Sequence, residues 1–333
     1  SNLYLYSTNL RLSLLDVCPA MVEKEGVIAI DAKKISEIIK ESPEEEIIIE
    51  EKEENRIKIS SGNVVYNLPK SNHLDFPQKT ITQPNSTSKI MATKLNEMIK
   101  KTIFAVAEDE GRGALGGILF EVINNKDRHL RLVATDAHRL SCIEKKEDKD
   151  EVFKDELRGI IIPRKGIQEL RRLIEDIDDH IIDVWRAENI IFIKIEKTIL
   201  SIQLIEGEFP EYKRVLSFCG EYKIKLSTKR VLESLKRVAV VLDDRFRYVK
   251  IALYEGKLII GSYGSEAGEA NEFIDVNYSG EKKEIYFNLR YLLDSFGCLE
   301  DDVILEIKGA KDPVRILPEK DNKHILIVMP MVF

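Results

Sequence analysis

Cysteine is scarce and dispersed in this chain of 333 residues: Cys18, Cys142, Cys219 and Cys298 form no CxxC pair. Such spacing supports neither a zinc knuckle nor a disulfide framework, and a reducing cytoplasm is the expected compartment. No apolar run approaches the ~20 residues that cross a bilayer. HExxH, a Walker lysine and GxSxG are missing too, which removes the familiar zinc, phosphate-loop and serine-nucleophile sites. Aromatic residues amount to 7%, and positive charge is not in excess, since 51 Lys and Arg stand against 58 Asp and Glu for a net charge of −7. Taken as a total, that balance argues against a polyanionic partner. What the chain does have is 44% hydrophobic residues, enough to fill the cores of two or three domains.

A short pattern of apolar strand, helix and second strand occurs three times. Its helices are expected to start at Asp31, Pro163 and Asn288, residue types suited to that position. The flanking strands are expected at 27–30 and 47–50, at 160–162 and 181–184, and at 285–287 and 303–307. Asp75-Phe76-Pro77 and Glu208-Phe209-Pro210 repeat in the same register. A further helix at 93–106 carries Leu95, Met98, Ile99 and Ile103 at helical spacing, and 228–242 repeats it with Val231, Leu232, Leu235 and Val238. Runs such as 190–195, 200–204 and 257–260 are rich in β-branched residues and read as strands. These features predict an α+β protein of three like domains, 1–85, 86–217 and 218–333, each built from two helices and antiparallel sheet. The first lacks its leading helix and strand, so the chain is expected to begin inside a domain.

Charge counted by element changes the first inference. The five helical stretches 31–42, 91–107, 163–174, 227–242 and 288–297 carry 15 Lys and Arg against seven Asp and Glu, so the helices hold +8 and the rest of the chain −15. Arg164, Lys165, Arg171 and Arg172 are expected to face outward from a stripe of Ile167, Leu170, Leu173 and Ile174, and Lys229, Arg230, Lys236 and Arg237 do the same on their own helix. Solvated helix faces are often rich in lysine, but repetition across like domains favours a shared basic surface. Lacking a reading motif, it would contact phosphates and not bases.

Two segments carry candidate chemistry. Gly111-Arg112-Gly113-Ala114-Leu115-Gly116 contains a formal GxGxxG, yet it follows a helix and enters a strand, the reverse of a dinucleotide-binding turn. Thr135-Asp136-Ala137-His138-Arg139 sets a carboxylate and an imidazole two apart, and a metal-dependent phosphoesterase using Asp136 and His138 is the alternative function. Two ligands are too few for a metal site, and no cofactor is expected. The chain ends on Ile325-Leu326-Ile327-Val328-Met329-Pro330-Met331-Val332-Phe333, where Pro330 interrupts a strand and the methionines suggest an adaptable surface for peptides.

The segments Leu130-Arg131-Leu132-Val133-Ala134-Thr135-Asp136-Ala137-His138-Arg139-Leu140, Gly207-Glu208-Phe209-Pro210-Glu211-Tyr212-Lys213-Arg214-Val215-Leu216 and Val328-Met329-Pro330-Met331 together resemble the bacterial DNA polymerase III beta subunits, the sliding clamps. The likeness runs from residue 1 to 333. It implies a non-enzymatic ring of two head-to-tail subunits, with helices lining a hole for double-stranded DNA and sheets outside. It also implies a pocket between the second and third domains that takes short linear peptides from DNA polymerase III, the clamp loader, other polymerases and mismatch-repair proteins. Carried over by motif, that pocket comprises Leu115, Thr135, Ala137, His138, Arg139, Leu140, Pro210, Arg214, Val215, Asn288, Tyr291, Pro313, Met329, Pro330 and Met331, with Arg139 and Arg214 as polar guides. The DNA-facing cations would be Lys33, Lys94, Lys101, Arg164, Lys165, Arg171, Arg172, Lys229, Lys236 and Arg237. Phe76, Val241 and Leu242 would form the subunit interface. Ala137 stands where the family commonly has glycine, Ser217 where proline is usual, and Val332-Phe333 replaces a basic-then-aliphatic ending.

Overall fold

Alternating β-branched segments pair into antiparallel ladders that account for most of the regular structure among the described residues. The structure, a computed structural model, describes every residue except 53–54, 78–80, 82–83, 85, 125, 243–247, 264–267 and 333. Asn85, at the expected first boundary, and the terminal Phe333 therefore lie outside the described residues. The chain divides into two compact units, Ser1–Gln83 with Lys194–Ser201, and Pro84–Ile193 with Ile202–Phe333.

In the first unit β1 (Asn2–Thr8) and β2 (Leu12–Pro19) form a hairpin, followed by α1 (Ala32–Lys40) and a meander of β3 (Ile48–Lys52), β4 (Arg56–Ser61) and β5 (Val64–Pro69). The Asp31 carboxylate accepts the Lys34 N–H at 2.9 Å, satisfying one of the donors left open at the start of α1. Ile38 of α1 packs with Ile57 and Ile59 of β4 to make a small core. The strand expected at 27–30 is reduced to one bridge between Ala29 and Ser71, because that segment meets a partner strand at a single point.

The remaining elements follow in order: β6 (Ser88–Met91), α2 (Ala92–Lys100), β7 (Gly117–Asn124), β8 (Arg128–Thr135), β9 (Arg139–Lys146), β10 (Ile160–Pro163), α3 (Arg164–Ile174), β11 (Ile181–Ala187), β12 (Ile190–Ile195), β13 (Thr198–Gln203) and α4 (Lys213–Leu216). Then come β14 (Tyr222–Leu226), α5 (Thr228–Ala239), β15 (Tyr248–Tyr254), β16 (Lys257–Tyr263), β17 (Asn271–Asp275), β18 (Lys283–Asn288), α6 (Leu289–Gly297), β19 (Val303–Ile307), β20 (Val314–Pro318) and β21 (His324–Val328). Residues at the facing ends of β12 and β13 belong to the first unit. α2 packs on α3 and α5 on α6, so the helices pair as the repeat anticipates. Gly166 of α3 is buried, and a Cβ there would lie 2.5 Å from the Ile202 side chain, so the helix approaches β13 as closely as glycine permits.

The helix expected over 93–106 ends early. α2 stops at Lys100, Thr102 donates its hydroxyl back to the Met98 carbonyl at 2.8 Å, and a 3-10 turn follows at Ile103–Ala105. A threonine bonding backward offers the backbone an alternative to continuing the helix. The glycine-rich connection is itself a 3-10 segment, Glu110–Gly116, in which Gly113 takes φ 57°, a conformation that favours glycine.

One sheet unites the second and third repeats. Its eight strands run β10-β7-β8-β9-β21-β20-β19-β14, half from each repeat, joined where β9 pairs antiparallel with β21 from His324↔Ile143 to Val328↔Arg139. A second sheet of the third repeat runs β17-β16-β15-β18.

Candidate functional site

The turn between β8 and β9 is built by its own side chains. Asp136 Oδ1 accepts the His138 and Arg139 N–H groups at 2.9 and 3.0 Å, while the Thr135 hydroxyl donates to the Arg139 carbonyl and accepts the Ala137 N–H. Ala137 is thereby held at φ 78°, where a Cβ is strained by about 1 kcal/mol. With Oδ2 accepting Arg139 Nε at 3.0 Å, the Asp136 carboxylate is committed to the turn, and the His138 ring stacks on Tyr291 at 6.0 Å. Among the described residues no cluster of three or more His, Cys, Asp or Glu side chains stands here to hold the metal that the phosphoesterase alternative requires.

An apolar cavity of about 180 Å³ opens beside this turn. Eight of the fifteen expected pocket residues line it: Leu115, Thr135, Ala137, Arg139, Leu140, Pro210, Val215 and Met329, joined by Glu211, Tyr212 and Ile327. The floor is the cluster of Leu119, Val133, Leu140, Cys142, Ile161, Tyr212 and Ile327. Tyr212 is fixed from behind, since its hydroxyl donates to Glu121 and accepts Arg131 Nη1 at 2.9 Å, and burial together with Glu121 holds its proton on. Burial pushes the Cys142 thiol up to about 12, and of the four thiols only Cys219 is exposed.

The other expected pocket residues stand apart from the cavity lining. His138 and Tyr291 form a stacked pair, Met331 bridges to Tyr286, and Asn288 caps α6 by accepting the Arg290 N–H at 2.9 Å. Pro330 lies between Met329 and Met331, and Pro313 precedes β20; both are half-buried. Arg214 is exposed on α4, and among the described residues its guanidinium has no ion-pair partner. Arg139, expected as a polar guide, lines the cavity but is tied down by its own partners. Its side chain is only 4% exposed, and its guanidinium already donates to Asp136 and, at 2.5 Å, to Asp294. Among the lining residues missed, Ile327 has the same strand parity as Met329, and Tyr212 sits two residues past the Glu208-Phe209-Pro210 motif.

At the far end of the β9–β21 join, His324 is completely buried. Ser141 Oγ donates to the Lys101 carbonyl at 2.5 Å, so His324 Nε2, 3.2 Å away, donates to Ser141 and Nδ1 is left without a partner. Burial, reinforced by Lys101, lowers the imidazole to about 4.

The expected DNA-facing cations divide by what they touch. Lys33, Lys165, Arg172, Lys229, Lys236 and Arg237 are exposed, although Arg172 pairs with Glu169 and Arg237 with Glu272. Among the described residues Lys229 and Lys236 have no ion-pair partner. Arg164 donates to the Val106 carbonyl at 2.9 Å, Arg171 is half-buried beside Glu175, and Lys101 pairs with Glu97 at 2.6 Å. Lys94 is only 12% exposed, and its ammonium meets Asp148 at 2.7 Å, the Lys146 carbonyl at 2.9 Å and the buried Glu151. An ammonium so enclosed by carboxylates acts chiefly to satisfy them. Phe76 packs edge-on against Tyr6 at 5.4 Å in the first unit, whereas Val241 and Leu242 are half-buried in the second.

Comparison with solved structures places this architecture among DNA sliding clamps. The clamp of Bartonella birtlesii bound to griselimycin aligns over all of this chain and 89% of that one, with a TM-score of 0.92 and 28% identity. The Caulobacter crescentus clamp aligns with a TM-score of 0.91 at 28% identity and the same coverage. In sequence, the beta sliding clamp of Pseudomonas putida is 31% identical over 307 residues, 92% of this chain and 82% of that protein, and the Buchnera aphidicola clamp is 31% identical over 329 residues. The N-terminal, central and C-terminal domain families of the DNA polymerase III beta subunit match residues 1–81, 89–211 and 213–332. The chain belongs to the DNA polymerase III beta subunit family. It is thus a sliding clamp with the three-domain clamp fold, a processivity factor and not an enzyme, and nothing in the comparisons supports a phosphoesterase.

Two measurements check these local assignments. His324 stays neutral in the fold down to about 4, while the unfolded chain protonates near 6.5. The unfolded state therefore binds the extra proton between those values, and stability falls as pH drops through that window, by roughly 2 kcal/mol from pH 7 to 5. Urea unfolding of His324→Gln is expected to lack that share of the slope. Lys94→Ala leaves Glu151 buried and unpaired, so it is expected to lower stability by about 3 kcal/mol in the same assay.

Proposed function

We propose that this clamp works as a ring of two head-to-tail copies around double-stranded DNA in the bacterial cytoplasm, on the nucleoid. The cavity beside the β8–β9 turn serves as the docking site for peptides. Three domains, 1–85, 86–217 and 218–333, would build each half of the ring, with Phe76 of one copy meeting Val241 and Leu242 of the next. The observation that carries the peptide reading is an apolar, partly open cavity lined by Leu115, Leu140, Val215, Ile327 and Met329, with an unpaired Arg214 close by in sequence. Apolar anchors in a largely preformed groove are the usual energetic centre of peptide recognition. The partners would be DNA polymerase III, the clamp loader, other polymerases and mismatch-repair proteins, each using a short linear segment. One cavity makes them competitors.

The charge distribution supports the DNA reading. The helical stretches carry the positive excess while the rest of the chain is net acidic, so phosphates would be attracted to the helices without any base being gripped. Residence on DNA then comes from topology and not from affinity.

A fluorescein-labelled pentapeptide with apolar side chains to match the apolar lining tests the pocket. Met329→Lys with Met331→Lys is expected to weaken its binding by roughly 30-fold or more while light scattering still reports a dimer. Griselimycin, bound to the Bartonella relative, is expected to displace it. A parallel loss of dimerisation would assign this tail to the subunit interface instead. For DNA, the wild-type ring is expected to remain on a nicked circle and to leave when the circle is cut. Replacing Arg172, Lys229 and Lys236 with Gln is expected to flatten the log–log salt dependence by about 0.9 for each phosphate no longer neutralised. An unchanged slope would remove those side chains from the DNA path.

A further inference from the structure

Arg139 lines the cavity, but what holds it lies outside. Its guanidinium sits between two rings, 4.6 Å from the centroid of Tyr291 and 5.5 Å from that of Phe104, and between two carboxylates, Asp136 and Asp294. Phe104 and Asp136 belong to the central-domain match, whereas Tyr291 and Asp294 stand on α6 in the C-terminal-domain match. Asp294 also faces Arg290 Nε at 3.8 Å, and Arg290 pairs with Glu108 back in the central domain. No residue of α6 lines the cavity.

The joint between the two domains does not depend on Asp294, because β9 and β21 already pair backbone to backbone over five residues. What the Asp294 carboxylate adds is orientation. A nearly buried cation must keep its donors satisfied, and with Asp136 holding Nε from one side, Asp294 fixes Nη1 from the other. The plane of the guanidinium, and so one wall of the cavity, is set from α6.

We propose that Asp294 is a positioning residue for the peptide pocket, acting through Arg139, so that occupation of the cavity and the setting of α6 against the β8–β9 turn are linked. This inference rests on the cavity's role as a peptide site. Linkage is reciprocal: if α6 improves peptide binding, the bound peptide must steady α6.

The test uses the whole chain and the same labelled apolar pentapeptide, read by anisotropy, thermal unfolding and amide hydrogen exchange. Asp294→Asn keeps the shape and removes the charge, and it is expected to weaken binding roughly tenfold with little change in melting temperature. Asp294→Glu is expected to restore most of the affinity. Adding the peptide to the wild type is expected to slow exchange across 289–297, and to do so less in Asp294→Asn. Unchanged affinity in Asp294→Asn, or unchanged exchange in the wild type, overturns the inference while leaving the pocket reading intact, since Met329→Lys with Met331→Lys tests that reading separately. Lost affinity that Asp294→Glu fails to restore, accompanied by a lower melting temperature, also overturns it by assigning Asp294 to the fold alone. A wild type that does not bind the peptide overturns both readings.

Discussion

The backbone pairing of β9 with β21 is the constraint on which the rest of the site depends. Five residue pairs set two repeats into one sheet, and their register decides which side chains point at the cavity. Because strand side chains alternate, Leu140 and its partner Ile327 face the same side, and Met329, two residues further, continues that row with its N–H bonded to the His138 carbonyl. A slip of one residue would turn that row to the opposite face and leave the cavity without its wall. The same ladder, read the other way, ends at His324 beside Ser141, so one strand pair frames an apolar cavity at one end and a buried imidazole at the other.

Charge in this molecule has two separate tasks. Part of it is enclosed: Lys94 among Asp148 and Glu151, Arg131 between Glu121 and Glu144, Arg139 between Asp136 and Asp294. Such cations orient the carboxylates and rings around them, and their charge is largely satisfied within the fold. The remainder, including Lys229 and Lys236, stays in water, where it acts through long-range attraction. The formal total of −7 mixes both groups and so says little about either.

Much of this was legible in the sequence because it is local. The starts of α1, α3 and α6 were marked by Asp31, Pro163 and Asn288, and the apolar stripes of α3 and α5 follow from helical spacing alone. Helix ends were less legible, since α2 stops where Thr102 finds a carbonyl behind it, a choice the periodicity does not record. The site was half legible. Residues carried by contiguous motifs came together around the cavity, but the fate of Lys94 and Arg139 depended on carboxylates supplied by Glu151 and Asp294, 57 and 155 residues away. No one-dimensional pattern distinguishes a lysine on a wet helix face from one enclosed by acids that arrive later in the chain.

The burial of the thiols has a practical side. With Cys142 sealed beneath the cavity floor and Cys298 likewise pushed up to about 12 by burial, no thiolate is on offer to an electrophile seated in the cavity. Small molecules aimed there must rely on shape and reversible contact. Cys219, just after α4, is the one exposed thiol of the four and so the most accessible handle for a covalent label.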